Sequence, residues 1–140
     1  MTKATPHRSA LPAGRDSALE LAFLAARVAE ETRGSDVHVL DLRKLTPVVD
    51  FFVIATGSSR RQMHAMADEI EKVVRQELAD EKRGSEGYEE GRWIVLDYGD
   101  VMVHLFDPEA REYWDLDGLW SDAARVSLPE AADDAGAPPQ

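Results

Sequence analysis

The stretch DFFVIATGSS (residues 50–59) constrains the fold more than any other. Within it, FFVIAT (51–56) shows none of the apolar–polar alternation of a strand with one wet side. Such a run fits a strand buried on both faces, at the middle of a covered sheet. Gly57 then permits a tight turn, and Ser58 or Ser59 can cap a helix. The pattern over 59–83 is helical, with Met63, Met66, Ala67, Ile70, Val73, Val74 and Leu78 on one stripe. Strand, turn and helix in that order open a crossover connection. The next strand pattern is RWIVLD (92–97), and this crossover predicts that it runs parallel to 51–56.

The rest of the chain extends this core. Ser17 with Glu20 fits a capping box for a helix over about 17–33, ended by Arg33-Gly34. VHVLDL (37–42) alternates as a half-buried strand, and Thr46-Pro47 breaks the chain after it. VMVHLF (101–106) pairs with 93–97 across a Tyr98-Gly99-Asp100 turn, and a hairpin of that kind is antiparallel. Asp107-Pro108 caps and opens a short helix, and DLDGLWSDA (115–123) closes the domain. The expected architecture is α/β: a mixed sheet of four to five strands in the order αββαββα, covered by its two long helices. Residues 1–15 and 129–140 are rich in Pro, Ala and charge. They read as tails outside a single domain at 16–128.

Composition removes several chemistries. The 140 residues contain no cysteine, so thiolate catalysis, disulfides and cysteine-ligated zinc are excluded. His7, His38, His64 and His104 form no metal-binding pair by spacing, and no metal or cofactor is expected. No apolar run reaches the roughly 18 residues of a membrane span. The N-terminus lacks the apolar core of a secretory signal. These features predict a cytoplasmic protein. Net charge is −11, and residues 86–117 alone hold ten acids against Arg92 and Arg111. That surface disfavours direct nucleic-acid binding and attracts a basic partner. The plainer alternative is that it maintains solubility.

Three places could carry function. The Gly57-Ser58-Ser59 turn, with Arg60 and Arg61 behind it, could bind phosphate at a helix N-terminus. It lacks the spacing of a P-loop or a dinucleotide fingerprint, and a capped helix explains it equally. A nucleotidyltransferase-like enzyme would need paired acids on a neighbouring strand to hold magnesium. The next acids, Asp68, Glu69 and Glu71, lie inside a helix. Asp97 and Asp100 could divide acid and base roles, with His104 as a base, but Asp and Gly are also ordinary turn residues. Finally, Trp93, Tyr98, Met102 and Trp114 are residue types enriched at interface centres. Trp93, Val95 and Asp97 share one side of their strand, so Trp93 belongs either to an outer docking surface or to the core.

Taken together, DFFVIATGSS, MADEI (66–70), Glu86-Gly87, WIVLDYGDVMVHLF (93–106) and the Arg111–Trp120 segment REYWDLDGLW resemble the ribosomal silencing factors, or Iojap-like proteins. The resemblance spans roughly residues 17–123. It implies a nucleotidyltransferase-like scaffold without catalytic acids, and a binding protein rather than an enzyme. It implies docking on protein fourteen of the large ribosomal subunit, at the face that meets the small subunit. Subunit joining would be blocked and translation repressed. Carried onto this chain, the contact residues would be Trp93, Asp97, Tyr98, Asp100, Met102, His104 and Trp114. The chain departs from the usual pattern at Tyr113-Trp114, where Phe-Tyr or Leu-Tyr is common. A homodimer of the free protein is a further expectation, because apolar sheet surfaces and edges tend to pair.

Overall fold

A computed structural model describes residues 17–128, so both expected tails lie outside the described residues. The elements are α1 (Ser17–Glu31), β1 (Ser35–Asp41), β2 (Phe51–Thr56), α2 (Arg60–Leu78), β3 (Gly84–Glu86), β4 (Trp93–Asp97), β5 (Val101–Phe106), α3 (Pro108–Trp114), α4 (Leu116–Leu119) and β6 (Ala124–Val126). The strands form one mixed sheet in the order β3-β4-β5-β2-β1-β6. As its composition requires, β2 is central and buried along its whole length. It pairs antiparallel with β1 and parallel with β5, from Phe51↔Val101 to Thr56↔Phe106.

Two expectations about topology are corrected. The described residues form six strands, because β3 and β6 add three-residue edges. The strand that follows α2 is also not 93–97. The chain leaves α2 into β3, which pairs antiparallel with β4; β4 in turn pairs antiparallel with β5. β3 therefore runs in the direction of β2, and β4 runs against it. The crossover rule is obeyed by β3, and the meander β3-β4-β5 then folds back to lay β5 beside β2. Helix α2 stops at Leu78 rather than near 83. Ala79 adopts a left-handed conformation and its N–H bonds to the Arg75 carbonyl. The segment beyond it offers no apolar stripe to bury. Helix α1 likewise ends at Glu31, and its left-handed residue is Arg33.

The two sides of the sheet are covered unequally. The two long helices cover the sheet as expected, and both lie on one side of it. There Leu21, Ala25 and Val28 of α1 and Met63, Met66 and Ile70 of α2 pack on Val53, Ile94, Leu96, Val103 and Leu105. Alanines along α1 let it approach the sheet closely. On the other side Leu40, Leu42, Phe52, Ile54 and Phe106 meet Ala110 of α3, Leu116 of α4, and Val49, Trp120 and Ala123 from the neighbouring loops, with Trp93 and Met102 packed against them. The period-two rule separates the sides: 94 and 96 face the long helices, while 93, 95 and 97 face away.

The 87–92 segment joining β3 to β4 is strapped to α2. His64 stacks on Tyr88 at 4.1 Å, and the Tyr88 hydroxyl donates to Asp68 at 3.0 Å. At Gly87 φ is +78°, and a Cβ there would collide with the Trp93 carbonyl oxygen. Gly87→Ala is therefore expected to destabilise the fold by more than about 1 kcal/mol, read from urea unfolding midpoints at unchanged slope.

Candidate docking face on the open side of the sheet

The β4–β5 hairpin places the sequence-derived candidates on different sides. The turn is shaped by Asp97, whose carboxylate accepts the Gly99 N–H at 2.8 Å. The Tyr98 N–H bonds to the Val101 carbonyl at 2.9 Å. Asp97 and Asp100 remain half-buried at the rim. Tyr98 is not on the open side. It follows the parity of Ile94 and Leu96, is 3% exposed and packs into the helix-side core. Burial pushes its phenol up. It is therefore not placed to touch a partner from the open side.

Trp93 and Met102 are half-buried on the open side, and Trp93 packs against the smaller core cluster. Aromatic rings continue from there in a row. Trp120 meets Phe52 at 5.9 Å, and Phe52 meets His104 at 4.5 Å. Trp93 lies 6.0 Å from His104, stacks on Phe106 at 4.9 Å, and reaches Trp114 at 5.3 Å. Tyr113 abuts Trp114 at 5.1 Å. The row starts at the C-terminal end of α4 and finishes at the exposed end of α3. A hollow of about 380 Å³ is lined by Arg92, Trp93, Glu109, Ala110, Tyr113 and Trp114. A second, of about 460 Å³, lies against Val48, Phe52, Met102 and Trp120, with Asp97 and Arg83 at its edge. Val48, Tyr113 and Trp120 were missed as contributors. A proline-flanked loop residue gives no surface signal, and Trp120 reads equally well as core.

His104 is 6% exposed beneath these rings. Its Nδ1 accepts the Trp93 indole N–H at 3.1 Å. Burial lowers its pKa from an ordinary 6.5 to about 4. Like Tyr98, it does not present itself to a partner directly.

The most buried cation in the thin cover on this side is Arg111. Arg111 of α3 pairs bidentately with Asp117 of α4 at 3.1 and 3.0 Å. It also donates to the Thr56 hydroxyl at 2.8 Å and the Asp36 carbonyl at 2.7 Å. His38 Nδ1 meets the same Asp117 carboxylate at 2.9 Å. Burial opposes ionisation of Asp117, but the hydrogen bonds from Arg111 and His38 prevail and its pKa is lowered. Left-handed Asp115 ends α3 and caps α4. The ends of the aromatic row, Trp114 and Trp120, are thereby fixed to β1 and β2.

Much of the acidic stretch has internal work. Asp107 caps α3 and pairs with Arg92 at 3.1 Å; Glu109 pairs with Arg92 at 2.9 Å. Asp115 and Asp117 are engaged as above, and Glu89 lies 3.9 Å from Arg60; Glu86, Glu90 and Glu112 are exposed, and Asp97 and Asp100 are half-buried at the rim. The phosphate-turn alternative meets a self-satisfied helix start. Ser59 accepts the Gln62 N–H at 3.0 Å, and Gln62 in turn accepts the Ser58 N–H at 2.6 Å. Gln62 also donates to the carbonyls of Thr32 and Arg33 at the end of α1. Among the described residues, no three His, Asp or Glu side chains converge as metal ligands. None of the helices is long and apolar enough to cross a membrane.

By class this is a mixed-sheet α/β protein with an aromatic strip on its thinly covered side. The comparisons narrow the class. The family described as "Ribosomal silencing factor during starvation" matches residues 15–140. The chain is similar to ribosomal silencing factor RsfS of Halalkalibacterium halodurans, 38% identical over 78% of this chain and 92% of the relative. It is 37% identical to RsfS of Bacillus subtilis over 75% of this chain and 88% of that one. A crystal structure of a Chromobacterium violaceum protein superposes with a TM-score of 0.70 at 37% identity, covering 79% of this chain and 90% of that one. The chain belongs to the ribosomal silencing factor family, whose members are named for regulating ribosomes.

Two outcomes follow from this geometry. His104 is charged more easily in the unfolded chain than in the fold, so the unfolded state binds more protons between pH 6.5 and about 4. Stability should be constant above that window and fall by roughly 3 kcal/mol as pH drops through it. Urea melts compared with His104→Phe isolate this loss. The stabilisation from Asp117 runs with the same sign but is lost only below the ordinary carboxylate value of 3.8. Separately, Arg111→Met leaves the Asp117 carboxylate without its main partner and should cost about 3 kcal/mol by thermal or urea unfolding.

Proposed function

We propose that the open side of the sheet docks on protein fourteen of the large ribosomal subunit. The bound factor then obstructs the small subunit sterically and represses translation, acting as a cytoplasmic binding protein and not as an enzyme. The observation that carries this reading is the aromatic strip: half-buried and exposed rings on a thinly covered sheet face, beside two hollows, with acids along the rim. Buried aromatic anchors with a charged rim are the anatomy of a protein interface. Residual negative charge at Asp97, Asp100 and Glu112 suits a basic partner and speeds its approach. Family membership supplies the ribosome; the strip supplies the means of holding it. Trp93, Met102 and Trp114 are the contact residues, Asp97 and Asp100 the rim, and Tyr98 and His104 support from within.

The exposed apolar side chains favour one refinement. Val48 is 81% exposed, Tyr113 77% and Leu119 74%. A second copy could cover such a surface in the free protein until the ribosome competes for it, which light scattering with and without the partner would reveal.

Sedimentation with purified large subunits tests the main reading. The protein should travel with them and lower the yield of full ribosomes when small subunits are added. A protein left at the top of the gradient, with joining unimpaired, would refute it. Trp93→Ala should weaken binding by at least about 2 kcal/mol, roughly thirtyfold, with the circular dichroism of the fold retained.

A further inference from the structure

His104 engages one ring nitrogen and leaves the other without a partner. An indole N–H can only donate, so the Nδ1 that receives the Trp93 proton at 3.1 Å must be the bare nitrogen. The neutral ring then carries its hydrogen on Nε2. That atom is buried and has no hydrogen-bond partner. A buried unpaired donor opposes folding. The ring packing does not require it: His104 sits edgewise to Phe52 at 4.5 Å and parallel to Phe106 at 6.3 Å, contacts that a hydrocarbon ring makes as well. Ring packing therefore gives no reason for histidine here. The neighbouring inward positions of β5 on the helix side, Val101, Val103 and Leu105, are wholly apolar.

What histidine adds is the acceptor. Trp93 stacks on Phe106 at 4.9 Å with 27° between the rings. Stacking alone tolerates sliding and rotation of an indole. The bond to Nδ1 removes that freedom. It fixes the indole with one surface on Phe106 and its outer part lining the hollow shared with Tyr113 and Trp114. We infer that His104 is a positioning residue for docking: without touching the partner, it holds the Trp93 indole in its binding orientation before the partner arrives. An anchor already ordered in the free protein loses less entropy on association. The inference rests on the docking role of the open side proposed above.

The test separates packing from acceptance. His104→Phe retains a ring and removes both the acceptor and the orphan donor; His104→Leu repeats the deletion if Phe is too bulky. His104→Gln offers an acceptor of similar reach and serves as the rescue. Wild type and variants are compared by unfolding midpoint, by the indole N–H resonance of Trp93 (assigned through Trp93→Phe), and by affinity for purified large subunits. With the acceptor gone, the indole N–H should move toward the solvent-exposed position and exchange faster. Affinity should fall about fivefold while the midpoint at neutral pH holds or rises. Gln should recover part of both the resonance and the affinity. In the Trp93→Phe background, His104→Phe should cause no further loss of binding.

Wild-type affinity retained by His104→Phe and His104→Leu would overturn the inference. So would an affinity loss that simply tracks a loss of stability, or an additive double variant. Failure of the wild type to bind large subunits is a different result. It would remove the docking reading itself, and this inference with it.

Discussion

β2 has no polar side to offer to water, so both of its faces must be covered. Its parallel register on β5 decides how. Phe51, Val53 and Ala55 align with Val101, Val103 and Leu105 to make one continuous apolar surface, and α1 and α2 lie across it. Phe52 and Ile54 align with Met102 and His104 on the other side. Among the described residues no long helix covers that second surface; what lies there is the seven residues of α3 and the four of α4. Helices so short are marginal alone and depend on tertiary contacts. Arg111 provides them, joining α3 and α4 to the ends of β1 and β2. The uneven cover follows from the burial demand of one strand and the brevity of the segment left to meet it.

That unevenness produces the candidate interface. Met63, Met66, Ile70 and Val74 of α2 and a row of alanines on α1 cover the first side. The second is closed at Leu40, Leu42 and Ile54 but thins toward β4, where Trp93, Val95 and Met102 are only half-buried. Aromatic side chains suit such a boundary, since one surface can bury against the sheet while the other stays available. Apolar area left uncovered in this way marks sites of association. The acids around it have two parts to play. Asp107, Asp115 and Asp117 hold α3 and α4 in place, and Asp97 shapes the hairpin turn. The formal charge of the segment therefore overstates what a partner would meet, and the rim acids matter more than the total.

Features written in local periodicity were legible in the sequence. The unbroken run at 51–56 gave the central strand, the stripe from Met63 to Leu78 gave α2, and alternation gave the sides of β4. Asp107-Pro108 gave the start of α3. What escaped was set by tertiary choice. Three-residue edge strands such as Gly84–Glu86 carry no periodic signal, and without β3 the crossover is assigned to the wrong strand. An amphipathic stripe states that a helix has a buried side, not which surface of the sheet receives it. Tyr98 is the instructive miss. Its parity with Ile94 and Leu96 already placed it inward, but its position beside Gly99 made it read as a turn residue. The Trp93–His104 bond could not be read at all, because it joins residues eleven apart that are not direct partners in the β4–β5 register.

The same bond shows how stability and recognition compete on one strand. On its helix side β5 is apolar throughout. On its open side it carries a histidine whose burial suppresses protonation and strands a donor. The first opposes folding only as pH falls below about 6.5, whereas the second acts at any pH and could be relieved by any hydrocarbon side chain of similar size. The compensation we infer lies in the orientation of Trp93, a large ring that reaches from the sheet to Trp114 of α3. The fixed points meet there: β2 sets β5, β5 sets His104, and Arg111 sets Trp114 opposite. An indole held from below by His104 and Phe106 and flanked by Trp114 is ordered before any partner arrives. WIVLDYGDVMVHLF thus contains the proposed anchor and its support eleven residues apart, and the hairpin between them brings the two together.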